Sequence, residues 1–321
     1  MRYSLKEKFF DNIIVLLLVL STGGLLFVFN RNVLSVSFLI LLLGVIVSFG
    51  RSFKRRILNV SIMTFGVIII LGVINYYFAI VEQTANKYLF HLLTTLLSIL
   101  TFFHFKNNRP SAVFLNRLYI VLKLIAFHAF INFILFFFIR NNLTVITSTY
   151  HECETLGNLF FYTTEKGMID IFGLEFCRNQ GLFWEPGILQ IFLNVLFFIE
   201  AFIIKKSKGL LLFISFLILT TYSTTGIALL LLQVLAFMKL ESKNNKSLIP
   251  IVIILMIPIY FVFSMNIDSK IQGDKEFSFQ KRIFDLTQPI FIAIEHPLTG
   301  IGLDLFQFQK IRQEFYVSSG S

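Results

Sequence analysis

The sequence predicts an all-α fold, a polytopic transmembrane helical bundle, on three observations: its excess of apolar residues, their grouping into charge-free blocks, and the alternation of basic residues between those blocks. Of 321 residues, 56% are hydrophobic and 14% charged, whereas a soluble domain carries roughly 25% charged residues. Ile13 to Phe29, Val33 to Phe49 and Ile57 to Ile80 are nearly free of charge, and each approaches or exceeds the roughly 17–25 residues that cross a hydrocarbon core. In lipid every backbone N–H and C=O needs an internal partner, so such blocks are expected to be helices. A barrel strand would put polar residues at every second position, and these blocks do not.

Taken in order, six further segments follow: Tyr88 to Phe105, Leu118 to Ile139, Pro186 to Ile204, Gly209 to Thr221, Gly226 to Met238 and Leu248 to Met265. Nine membrane segments are therefore expected, in one membrane domain covering residues 1–321. No Gly-, Pro- or Ser-rich linker divides it, and no internal repeat is visible. The first block has a basic start but no A-x-A-like cleavage site, so it reads as a signal anchor that stays as a helix. The short pair on either side of Tyr222–Thr225 reads as a helical hairpin or two broken helices. Two connections are too long for turns. Residues 140–185 form a large loop, and residues 266–321 a second segment; the aromatic residues in both predict packing on the bundle.

Charge sets the expected orientation. With the N-terminus cytoplasmic, the inner side collects Arg2, Lys6 and Lys8; Arg51, Lys54, Arg55 and Arg56; Lys106, Arg109 and Arg117; Lys205, Lys206 and Lys208; Lys239, Lys243 and Lys246. The short outer connections hold only Arg31 and Lys87. This is the positive-inside pattern, and it makes both long connections periplasmic. The net charge of +10 then reflects orientation towards anionic inner-leaflet lipids. A basic soluble face interleaved with aromatics is missing, so no nucleic-acid partner is expected.

Three stretches carry candidate chemistry. Arg178-Asn-Gln-Gly-Leu-Phe-Trp-Glu-Pro-Gly187 sets a guanidinium and a carboxylate at a membrane surface, with Gly181 to turn the backbone and Pro186 to open the next helix. A helix N-terminus there suits a phosphate, Arg178 can clamp a diphosphate, and Glu185 can take a proton from a hydroxyl. An interfacial Arg–Glu pair with Trp184 as a belt anchor fits the same spacing. Thr220-Thr-Tyr-Ser-Thr-Thr-Gly226 is a polar tip whose hydroxyls either cap the following helix or line a pocket. Lys281 to Gly302 shows helical spacing of Ile283, Leu286, Ile290, Ala293 and Ile294, predicting an amphipathic helix. Arg282 opens it, and His296-Pro-Leu-Thr-Gly-Ile-Gly302 closes it in a turn.

Among intramembrane charges, Lys123 and Glu200 are functional suspects by default. Lys123 also fits a snorkelling role, and His128 is placed to share a cavity with it. Cys153 and Cys177 both lie in the large loop, where an oxidising compartment permits a disulfide; two unpaired thiols are the alternative. No glycine loop with Lys, HExxH or G-x-S-x-G is present, so energy must come with the substrate.

These stretches together resemble the O-antigen polymerase and O-antigen ligase family, membrane glycosyltransferases of bacterial surface-polysaccharide assembly. Arg178–Gly187 is similar to the family's R-x-x-G-x-F-x-E/H-P element. Ser223-Thr-Thr-Gly226 is similar to its S-R/T-x-G element, with Thr224 where many members have Arg. Arg282 with His296 to Gly302, including Gly300, is similar to its R…hP-x-x-G-x-G element.

The resemblance implies a GT-C-like fold in the inner membrane and, as substrate, an oligosaccharide on polyprenyl diphosphate. It implies Arg178 and Arg282 on the diphosphate, Glu185 as general base, and Gly181, Trp184, Ser223, Thr224, His296, Gly300 and Gly302 in substrate binding. No cofactor or metal is implied. Membrane lipids, a chain-length regulator and a flippase are the implied partners. The Glu185-Pro186-Gly187 form leans towards polymerases of O-antigen or capsule repeats. A ligase acting on lipid A-core stays open, as does a transporter or flippase of lipid-linked sugars. Family members continue beyond the G-x-G element, and this chain ends at Ser321, so a C-terminally truncated member is expected, either a fragment or an inactive remnant.

Overall fold

The computed structural model describes residues 4–49, 54–80, 82–147, 154–158, 160–163, 168–171, 174–204 and 207–242, with positions 260, 264, 290, 292, 294–297 and 302–303. The chain divides into two compact units. One holds Met1–Leu34 and Ala112–Ser269, the other Ser35–Ser111 and Lys270–Ser321.

In the first unit, α1 (Leu5–Ser21) opens with a capping box: Glu7 N donates to Ser4 Oγ at 3.2 Å while Glu7 accepts from Ser4 N at 2.8 Å. The apolar block Ile13–Phe29 does not continue as one helix. It breaks at Thr22-Gly23-Gly24 and resumes as the short α2 (Leu25–Phe29). The hydroxyls of Ser21 and Thr22 bond back to the carbonyls of Leu18 and Val19, both at 2.7 Å. Gly23 then takes φ +154, which a side chain would strain.

α6 (Ser111–Ile139) runs through a 3-10 turn at Arg140–Asn142 into the large loop. That loop forms two small antiparallel sheets, which the hydropathy pattern did not reveal. β1 (Thr144–Thr147), β2 (Glu154–Asn158) and β3 (Phe161–Thr163) pair in that order, and β4 (Met168–Ile171) pairs with β5 (Leu174–Cys177). α7 (Pro186–Phe198) follows, with Pro186 at its start as expected, and passes into a π-helical stretch, Ile199–Ile204. α8 (Lys208–Thr220) and α9 (Thr224–Ser242) follow, and both pack on α7. Leu189, Leu193, Leu196, Ile214, Leu217, Ile218, Ile227 and Leu230 are fully buried at this core.

α3 (Arg31–Phe49) passes from the first unit into the second, where α4 (Arg55–Phe78) packs on α5 (Ala85–Asn108). One end of that pair is tied by Lys54 N donating to Asn107 Oδ1 at 2.8 Å. The other is tied by Tyr88 Oη donating to Asn75 Oδ1. Along α4 only Ser61 is buried, and Ile62, Met63, Val67, Ile70 and Leu71 are exposed. At about 25 cal/mol per Å² of apolar surface, water would be a costly neighbour for such a helix; lipid is not.

Among the described residues, five helices are long and apolar enough to cross a membrane: Arg31–Phe49, Arg55–Phe78, Ala85–Asn108, Ala112–Asn142 and Pro186–Ile204. Two shorter apolar helices, Lys208–Thr220 and Thr224–Leu240, accompany them. The chain is a multi-pass helical membrane protein. The expected segment Leu248 to Met265 and most of the amphipathic helix lie outside the described residues, although positions 260, 264, 290, 292, 294 and 295 are helical.

Candidate functional site

In the first unit, the loop Arg178–Glu185 between β5 and α7 is fastened from three directions. Towards the α8–α9 corner, Arg178 Nε donates to the Thr221 carbonyl at 3.0 Å, and Asn179 N donates to the Thr220 carbonyl at 3.0 Å. Towards α6, Asn179 Nδ2 donates to the Ala129 carbonyl at 3.0 Å, and also reaches Thr220 Oγ1 at 3.1 Å. Asn179 Oδ1 accepts from Gly181 N at 3.1 Å, an Asx turn that fixes the bend. Towards the α1–α2 corner, Leu25 N donates to the Leu182 carbonyl at 2.8 Å and Trp184 N to the Gly23 carbonyl at 3.1 Å. Gly24 and Phe183 thus form an isolated bridge.

Gly181 makes the expected turn and Pro186 opens the expected helix. Gly181 has φ +55 and lies against Ala129 and Leu189, so it makes the turn that only glycine makes cheaply. Glu185 is the N-cap of α7 in extended conformation. Its carboxylate curls over the first turn, since a Cβ at Gly187 would sit 3.1 Å from Glu185 Oε1. Trp184 is half-buried beside Gly23. Tyr222, at φ +47, makes the sharp α8–α9 reversal, Ser223 is buried, and α9 starts at Thr224. The Arg178–Gly187 stretch and the polar tip Thr220–Gly226, about forty positions apart in the sequence, are thus bonded neighbours through Thr220 and Thr221.

At Gly226 α9 lies tightly on α7: a Cβ there would be 2.7 Å from Gln190 Oε1. Asn194 Nδ2 donates to the Gln190 carbonyl at 2.9 Å and to the Gly226 carbonyl at 3.3 Å. Gln233 Nε2 donates to the Asn194 carbonyl at 3.3 Å. An amide ladder of this kind tightens helices that lipid does not drive together.

The large loop packs on α6 as expected. Asn132 and Tyr162 exchange two bonds at 2.9 Å through the Tyr162 backbone, and burial pushes the Tyr162 phenol up from its ordinary pKa. His128 bonds the Phe160 carbonyl at 2.8 Å and stacks on Phe161. The expectation that His128 shares a cavity with Lys123 is corrected: Lys123 Nζ lies 4.6 Å over the Tyr119 ring. Helical geometry explains this, because five positions are well over one turn and send the two side chains to different neighbours. Tyr119 Oη donates to the fully buried Glu200 at 2.7 Å, and Glu200 also accepts from Ser207 N at 2.5 Å.

In the second unit, His296 closes a helical turn, its N donating to the Ile292 carbonyl at 2.8 Å. Gly302 has φ +93. Arg282, Gly300 and Cys153 lie outside the described residues; Cys177 is buried at the end of β5. No cluster of metal-ligating side chains occurs among the described residues.

The bonds from Arg178 and Asn179 end on Thr220 and Thr221, inside a segment with known relatives. Residues 209–321 match the family model described as O-antigen ligase. This part of the chain is similar to the O-antigen ligase family. No curated protein and no solved structure matches the chain. The family segment holds the second and third motifs, whereas Arg178–Gly187 precedes it and joins it through hydrogen bonds. Sequence reasoning missed Asn179 as the knot of the loop and Thr22-Gly23-Gly24 as its second anchor. The paired glycines inside an apolar block were the available signal for the latter.

Proposed function

We propose that this protein polymerises oligosaccharide repeat units carried on polyprenyl diphosphate, at the outer face of the membrane. The acceptor's hydroxyl oxygen bonds to the donor's anomeric carbon, the bond from that carbon to the diphosphate oxygen breaks, and the lipid diphosphate leaves as an anion. Glu185 takes the hydroxyl proton. Arg178 and Arg282 hold the diphosphate and offset its growing charge. Gly181, Trp184, Ser223, Thr224, His296, Gly300 and Gly302 shape the binding surface.

One observation carries the reading: Arg178 Nε is bonded to the Thr221 carbonyl at 3.0 Å, joining the first motif to the segment of the O-antigen ligase family. That bond orients the guanidinium at the α8–α9 corner, seven positions before the carboxylate of Glu185. The family's own description favours a second reading, transfer of a finished glycan to lipid A-core.

The test replaces the gene in its source cell with wild type, Arg178→Ala or Glu185→Gln at equal membrane level. Loss of the polysaccharide ladder in both variants, with single repeats still reaching the final acceptor, supports polymerisation. Long chains building up on the lipid carrier point to ligation instead. An unchanged ladder in both variants refutes the roles of both residues.

A further inference from the structure

The end of the third motif is held by residues far from it in the sequence. Leu303 N donates to Gln83 Oε1 at 2.9 Å and lies 3.4 Å from Tyr88 Oη. Tyr88 Oη also reaches Gln83 Oε1 at 3.3 Å and bonds Asn75 Oδ1. Gln83 and Tyr88 are each 6% exposed. The backbone beside this contact leaves no room for a side chain: at Gly302, φ +93, a Cβ would fall on the Gln83 amide. Glycine thus serves twice, giving the positive φ and admitting the amide. The family segment begins at residue 209, so Asn75, Gln83 and Tyr88, at the junction of α4 and α5, lie outside it.

We infer that Gln83 is a positioning residue for the third motif, holding its end at Gly302 through the bond from Leu303 N, with Tyr88 beside its amide oxygen. The Tyr88 hydroxyl has one proton to share between Asn75 Oδ1 and Gln83 Oε1, and Leu303 N is the shorter bond to the Gln83 oxygen. This role rests on the proposed glycan transfer, because Gly302 belongs to the motif that Arg282 and His296 share in the sequence.

Two measurements separate the contact from its purpose. In the full chain, the pair Gln83→Cys with Leu303→Cys is treated with a short thiol cross-linker in native membranes, with each single variant as control. A cross-link in the pair alone is expected; its absence overturns the inference whatever the activity. Polysaccharide yield in the source cell is then compared at equal membrane level. Gln83→Asn retracts the oxygen by one methylene, and loss of a buried bond predicts a roughly tenfold or greater fall in yield. Gln83→Glu keeps an acceptor at the same reach and is expected to restore most of it, a rescue that a general folding defect does not give. Equal yields for wild type and Gln83→Asn, or equal losses for Asn and Glu, overturn the positioning role. A wild-type chain that makes no glycan product while the pair still cross-links overturns the functional reading and the role built on it, leaving only the contact.

Discussion

Replacing Asn179 with alanine tests how the motif loop is held. The side chain is buried and makes three bonds: to the Ala129 carbonyl at 3.0 Å, to Thr220 Oγ1 at 3.1 Å and from Gly181 N at 3.1 Å. Their losses differ. Thr220 Oγ1 keeps its own bond to the Leu217 carbonyl at 2.7 Å, and the Ala129 carbonyl belongs to a helix, so neither is stranded. Gly181 N loses its acceptor in a buried turn, which costs about 1–3 kcal/mol, and the vacated amide volume adds about 1 kcal/mol. Local opening of the loop becomes easier by about 2–4 kcal/mol, or roughly 30- to 700-fold. Amide hydrogen exchange of the Gly181 segment in detergent reads this directly. Asn179→Asp keeps an acceptor for Gly181 N but turns its second oxygen on the Ala129 carbonyl in a buried site, so its exchange is expected to rise as well. Unchanged exchange in Asn179→Ala would refute the assignment of Asn179 as the knot.

Three other perturbations follow from the same contacts. Gly226→Ala sets a Cβ 2.7 Å from Gln190 Oε1, so thermal stability is expected to fall by about 1–3 kcal/mol, with partial recovery when Gln190→Ala is added. Tyr119→Phe removes a donor to the fully buried Glu200; a loss of about 1–3 kcal/mol in denaturation is expected, and none would show that the pair is dispensable. Arg178→Lys keeps the charge but not the bond from Nε to Thr221; polysaccharide yield is expected to drop nearly as far as in Arg178→Ala, and full activity would show that charge alone suffices.

Much of the fold was legible in the sequence, for reasons that hold residue by residue. Helices α3 to α7 follow from apolar length, because lipid offers the backbone no other partner. Pro186 and Gly181 were readable as well, since a ring-locked φ and a missing Cβ act locally. The break at Thr22-Gly23-Gly24 was not read, because hydropathy counts those residues as tolerable in a span and ignores their bonds to Leu182 and Trp184. The strands of the large loop escaped for the same reason: β1 pairs with β2 in a sheet of three short strands, below the length at which alternation is visible.

The sequence by itself determined that this chain is a helical membrane protein, and it placed three motifs in family order. Both rest on short-range physics: helix length against bilayer thickness, and residue types at fixed spacing. Only the tertiary structure decided which motifs meet. Arg178 finds Thr221 across 43 positions, and Leu303 finds Gln83 across 220. Such pairings are set by how helices pack and where buried polar groups find partners, and no local pattern along the chain records that.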